Sequence, residues 1–144
     1  MIAIVTGAST GIGAAIAKQL VKSGHTVVGI ARDIEKLDAL ARALGEKFVA
    51  RPCDVTDTVA LTAVLRQCAA DFGRVDLLVN NAGTAKVMTI EQTTPEEFRA
   101  MHDLNVVAPA AAIHALWTTL KSHGDRKSTR LNSSHSSVSR MPSS

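Results

Sequence analysis

Ile2-Ala3-Ile4-Val5-Thr6-Gly7-Ala8-Ser9-Thr10-Gly11-Ile12-Gly13 runs from an apolar stretch through a glycine-rich turn into residues of helical spacing. A short run of Val and Ile is what a strand buried on both faces requires. A strand-to-helix junction without Cβ atoms lets an anion approach the backbone N–H groups at the positive end of the helix. The glycine spacing is G-x-x-x-G-x-G, which departs from G-x-G-x-x-G, and no G-x-x-x-x-G-K-[ST] stretch makes it a P-loop. Taken alone, such a turn can also be merely a plain tight connection.

Outward from this junction the same alternation repeats. Ile2 to Val5, Thr26 to Ile30, Lys47 to Ala50 and Val75 to Val79 read as four buried strands. Between them, Ile12, Ala15, Ile16 and Leu20 share one helical face, as do Ile34, Leu37, Ala41 and Leu44, then Leu61, Val64, Leu65, Cys68 and Phe72. Gly24, Gly45 and Gly73 stand where these helices should end, and Asp57 is placed to cap the third. Thr94-Pro95-Glu96-Glu97 offers a cap, a first-turn proline and two acids, and predicts a fourth helix running toward Lys121.

Strands alternating with helices predict an α/β fold: a doubly wound parallel sheet of Rossmann type, truncated to about four strands and four helices, with strand order 3-2-1-4. Residues 1–124 form the N-terminal part of that domain. From Asp125 to Ser144 periodicity stops and eight of twenty residues are Ser, so this tail is expected to be disordered.

Charge follows the same division. The 144 residues carry a net +3, which gives a pI near 9.1. Met1 to Gly124 holds 12 Lys or Arg against 12 Asp or Glu, so the whole excess lies in the tail. A nucleic-acid partner is therefore not expected. No apolar run approaches the ~20 residues of a membrane span, no basic leader precedes the first strand, and the expected location is the cytoplasm. Cys53 and Cys68 have neither disulfide-framework nor metal-ligand spacing, so no metal is expected.

The constellation is more specific than the turn. Thr6-Gly7-x-x-x-Gly11-x-Gly13, Asp54 after the third strand, Asn80-Asn81-Ala82-Gly83 after the fourth and Asn105 in the following helix occur in this order. Together they closely resemble the short-chain dehydrogenase/reductase family. The resemblance implies an oxidoreductase that exchanges hydride between a nicotinamide dinucleotide and a small alcohol or carbonyl substrate. It implies that Gly7, Gly11 and Gly13 shape the turn, with Ser9 and the Ile12 amide near the cofactor phosphates. Asp54 would contact the adenine amino group, Val55 would wall that pocket, and Asn81-Ala82-Gly83 would line the cleft. Relatives are often homo-oligomers.

Cofactor choice turns on the end of the second strand. An acid there accepts from the ribose 2′-hydroxyl of NAD, whereas a guanidinium pairs with the 2′-phosphate of NADP. Family registration puts Ala31 at the acid position and Arg32 just after it, which favours NADP over NAD. Asp33 could pair with Arg32, and Thr10 lacks the second basic group of many NADP-preferring relatives.

Pro109 lies inside the fourth helix, cannot donate to the carbonyl of Asn105 and crowds it. The resemblance implies that this freed oxygen holds a water in the proton relay, which makes Asn105 the catalytic candidate. His102 and His114 have no spacing of a general base. The family's Ser and Tyr-x-x-x-Lys are missing, and the chain has no Tyr at all. In their place, residues 125–144 look like a translated sequencing-library adapter, so the chain is expected to be an inactive cofactor-binding fragment. Losing the later strands should expose the fourth strand as an edge and lower solubility. Alternatives are a non-catalytic dinucleotide sensor or scaffold of the same fold, and a nucleotide-binding module for methyl transfer that would leave Asn81 to Gly83 and Asn105 without a role.

Overall fold

The computed structural model describes residues 1–85, 89–122 and the backbone of 127–130. Strand and helix alternate throughout: β1 Ile2–Thr6, α1 Gly11–Lys22, β2 Thr26–Ala31, α2 Ile34–Leu44, β3 Phe48–Pro52, α3 Thr58–Phe72, β4 Leu77–Asn80, α4 Pro95–His102, α5 Ala108–Ser122 and β5 Lys127–Arg130. All strands pair in parallel, in the order β3-β2-β1-β4-β5. The expected 3-2-1-4 order holds for the first four.

A fifth strand, Lys127–Arg130, falls within the stretch read as a tail. Lys127–Arg130 pairs with Leu77–Asn80 and covers the β4 edge that was expected to stay open. Ladder bonds are made by main-chain groups, so an unpaired strand edge can accept a polar segment with no apolar pattern. The remainder of the tail lies outside the described residues.

Strand limits shift slightly. Lys47 belongs to a 3-10 turn, Gly45–Lys47, and β4 begins at Leu77 rather than Val75. Pro52 ends β3 without breaking the sheet because β3 is an edge strand. The sheet separates two cores. Ile4, Val28, Leu78 and Val75 pack with Leu61, Leu65 and Cys68 of α3 and Ala112, Leu116 and Leu120 of α5. Val5, Val27 and Val79 face Ala14 and Ala17 of α1 and Leu37 and Leu40 of α2.

On α1 the apolar face is rotated from the one read in the sequence. Gly13, Ala14 and Ala17 are buried, whereas Ile12 is 46% exposed and Ala15 is exposed. The cause is close approach: α1 starts against the β1 turn, and only very small residues fit there. Ile34 is likewise exposed, while Leu40 takes its place in the α2 core.

The fourth helix starts at Pro95 with a full capping box between Thr94 and Glu97. It continues past His102 through a π turn at Asp103–Val107, which separates α4 from α5. At the opposite end of the sheet from the glycine turn, Asp76 accepts from the Ile2 amide at 2.7 Å and pairs with Arg74. This carboxylate therefore fastens the start of β1 to the start of β4.

Candidate functional site

The turn after β1 is built by contacts that exclude side chains. Gly7 and Gly11 have φ of +66° and +56°, a region open to glycine without strain. A Cβ on Gly13 would stand 2.2 Å from the Gly7 carbonyl oxygen and 2.5 Å from Asn81 Nδ2. At Gly11 a Cβ would meet nothing within 4 Å. Gly13 is thus needed for packing and Gly11 for its dihedral, with open space over the turn.

The helix that follows begins bare. Thr10, the N-cap residue of α1, is extended (φ −148°), makes no side-chain cap bond, and no acid lies in the first turn. The starts of α2, α3 and α4 are closed by the side chains of Asp33, Asp57 and Thr94. An uncapped helix start presents N–H groups and a positive dipole end to an anion. Ser9, half-buried, and Ile12, exposed, flank this opening.

Thr6 ties the fourth strand to the turn. Its buried hydroxyl accepts from the amides of Asn81 and Ala82, both at 3.1 Å, and donates to the Val79 carbonyl at 3.4 Å. Asn81 returns the link, its Nδ2 donating to the carbonyls of Thr6 at 3.1 Å and Gly7 at 3.2 Å. Asn81 and Ala82 are therefore brought to the glycine turn. The hydroxyl of Thr6 was quoted in the motif without a role; its position immediately before Gly7 was the available signal. Beside it, Asn80 is 3% exposed and its Nδ2 has no hydrogen-bond partner among the described residues. With Thr6, Ala82, Leu104 and Pro109, Asn80 lines a narrow crevice between β4 and the start of α5.

At the far side, Arg32, Asp54 and Val55 gather where β2 and β3 end. Asp54 Oδ1 accepts from the Thr56 amide at 2.9 Å and its hydroxyl at 2.7 Å. Those two bonds first, and Arg32 more weakly, hold its carboxyl below the usual range. Arg32 Nη1 approaches Asp54 Oδ2 at 3.9 Å and is 78% exposed. Asp33, which the sequence offered as a partner for Arg32, instead caps α2 through the Lys36 amide at 3.1 Å and pairs with Lys36 Nζ at 2.7 Å. Val55 is buried. Thr56, the residue that orients Asp54, was missed; an acid followed two residues later by Thr was the signal for this turn.

Asn105 lies within the π turn. The crowding of its carbonyl by Pro109 agrees with a locally widened helix. Its side chain does more than the sequence implied: Oδ1 accepts from the Thr84 amide at 3.2 Å and Nδ2 donates to the Thr84 carbonyl at 2.9 Å. A Cβ on Gly83 would lie 2.9 Å from that Oδ1. Asn105 thus braces the loop leaving β4. His102 does face an acid, Asp103, at 3.8 Å, but both side chains are more than half exposed, as in a solvated surface pair. His114 is exposed. Burial pushes both Cys53 and Cys68 upward from the usual thiol range.

Among the described residues no cluster of His, Cys, Asp or Glu could hold a metal ion, and no helix is long and apolar enough to cross a membrane.

Known proteins arrange the same parts. The sequence model of the short chain dehydrogenase family matches residues 1–143. An uncharacterized oxidoreductase of Methylorubrum extorquens is 41% identical over 118 residues, which are 79% of this chain and 48% of that protein. A short-chain dehydrogenase from Streptomyces avermitilis superposes with a TM-score of 0.86 at 40% identity, over 90% of this chain and 48% of that one. A short chain oxidoreductase from Pseudomonas aeruginosa, in its NADPH-bound structure, gives a TM-score of 0.86 at 34% identity, over 92% of this chain and 53% of that one. Other solved likenesses hold NADP or NADH. The chain spans about half the length of most curated relatives it matches. Glycine turn, asparagine clamp and kinked helix therefore sit on a nicotinamide-dinucleotide-binding fold, and the chain belongs to the short-chain dehydrogenase family.

Proposed function

We propose that this chain is the cofactor-binding part of an NADP-dependent oxidoreductase that interconverts an alcohol and a carbonyl. The observation that carries this reading is the bare start of α1 above two left-handed glycines, beside three helices whose starts are closed by side chains. A dinucleotide diphosphate fits there because the approach over Gly11 is open and the free amides point to it. The Ser9 and Ile12 amides complete that cradle. Asp54 has one oxygen committed to Thr56, so Oδ2 is the atom that accepts from the adenine amino group, with Val55 walling the base. Arg32, exposed and 3.9 Å from Asp54 Oδ2, is available to a 2′-phosphate. Asn81, Ala82 and Gly83 line the cleft.

The bound nicotinamide would accept or give the hydride. This chain's own contribution to proton movement is at Asn105, whose side chain is held by Thr84 and whose carbonyl, crowded by Pro109, is the atom that would hold a relay water. Because the chain holds no Tyr, we read the 144 residues as binding cofactor without turning over substrate. We read residues 125–144 as translated adapter, the parent protein as a cytoplasmic homo-oligomer, and β5 as occupying the position of the genuine fifth strand. Sequencing the source gene past codon 124 decides the tail: an adapter-free reading frame with Ser and Tyr-x-x-x-Lys supports this reading, and a genomic tail identical to this one overturns it.

Titration of the chain with NADPH and NADH tests the site. Tighter binding of NADPH, weakened toward the NADH value by Arg32→Ala, is the expected result. Equal or tighter NADH binding overturns the NADP assignment.

A further inference from the structure

Resting on the NADP reading of Arg32, we propose that Lys36 is a second determinant of cofactor preference, acting as a positioning residue through Asp33. Asp33 follows Arg32 directly, so its carboxylate is the acid adjacent in sequence to the residue proposed to hold the 2′-phosphate. An unpaired acid there, two residues beyond the acid position at Ala31, would still disfavour the phosphate through its charge.

In this chain that carboxylate is already engaged twice. Oδ1 accepts the Lys36 amide at 3.1 Å, and Oδ2 sits 2.7 Å from the Lys36 ammonium. The two bonds fix the side chain over the α2 start, turned to its own helix. Lys36 therefore cancels the charge of Asp33 and also holds it in the capping pose. Arg32 meanwhile has only the distant Asp54 oxygen as a partner. Arg32, Asp33 and Lys36 together carry one net positive charge, against which Asp54 lies beside Arg32 and Glu35 beside Lys36.

The pair is exposed, 60% for Lys36 and 40% for Asp33, so its effect is modest and screened by salt. Lys36→Gln should lower the NADPH-over-NADH affinity ratio about threefold, through both weaker NADPH and slightly tighter NADH binding. Asp33→Asn keeps an equally good cap and frees the ammonium, so it should raise that ratio by about threefold. The double variant should return near the parent value, and all three differences should shrink at roughly 0.5 M salt.

The experiment is titration of the 144-residue chain and these three variants with NADPH and NADH, with circular dichroism confirming unchanged helix content. A Lys36→Gln ratio equal to the parent's, or Lys36→Gln weakening both nucleotides alike, overturns the proposal; so does failure of Asp33→Asn to rescue. If the parent does not prefer NADPH, or binds neither nucleotide, the reading of Arg32 itself falls and takes this proposal with it. A parent that prefers NADPH alongside an unmoved Lys36→Gln ratio sinks the Lys36 role alone.

Discussion

α1 and α2 leave neighbouring parallel strands of one sheet, yet their N-termini are finished in opposite ways. At α2 an acid caps the first turn and a lysine pairs with the acid, so the helix satisfies its own exposed amides. At α1 the capping position is an extended Thr whose side chain makes no cap bond, followed by glycines and no acid. A missing cap typically costs about 1 kcal/mol. A fold that supplies caps at three helix starts and omits the fourth is, on the proposed reading, one that leaves that end for an anionic ligand.

Gly13→Val tests the α1 side most severely. Its Cβ would collide with the Gly7 carbonyl and the Asn81 amide. NADPH binding should fall at least a hundredfold, and thermal melting should show a loss of about 3 kcal/mol. Thr10→Asp turns α1 into a copy of α2. It should leave melting unchanged or slightly raised, because the cap is now made. NADPH affinity should nevertheless fall about tenfold, since a carboxylate occupies the place of the diphosphate. Unchanged affinity in titration would remove the distinction between the two helix starts.

Asp76 offers a control for charge placed away from the cleft. Arg74, and then the Ile2 amide, keep its carboxyl below the ordinary range. A folded value below the unfolded one means the stabilisation is complete above pH ~4 and disappears as pH falls through the lowered value. Asp76→Asn should therefore cost about 1–2 kcal/mol at pH 7. Parent and variant should converge in acid denaturation curves, and NADPH affinity should be untouched. Smallest of all, Asp57→Ala at the capped start of α3 should cost about 1 kcal/mol with unchanged titration.

The sequence was most readable where local chemistry decides the outcome. Gly24, Gly45 and Gly73 sit at the helix ends with positive φ, and Asp57 and Thr94 cap as their spacing indicated. Asn81 meets the glycine turn through Thr6 and Gly7, a region the four motifs in family order had marked. Three things were not legible. Which face of α1 is buried is set by Gly13 abutting the Gly7 carbonyl across the turn, and helical periodicity carries no information on that distance. Asp33 was read as a partner for Arg32, whereas as the α2 cap it takes the amide and ammonium of Lys36. The pairing of Lys127–Arg130 with β4 followed from an available edge in the sheet, about which a polar segment's own residues say nothing.

The π turn at Asp103–Val107 has a consequence for how the chain tolerates change in length. A widened turn of this kind absorbs one surplus residue, so the segments on either side keep their angular phase. Each residue of an ordinary helix turns about 100°. Were the same residues wound as a uniform α-helix, Phe98 and Met101 would swing by that amount relative to the Ala112-Leu116-Leu120 stripe in the core. Removing Val106 would instead close the widened turn while both flanks stay in phase, and the lost element would be the offset that lets Asn105 reach Thr84. A one-residue deletion here would thus spare the scaffold and disconnect the loop.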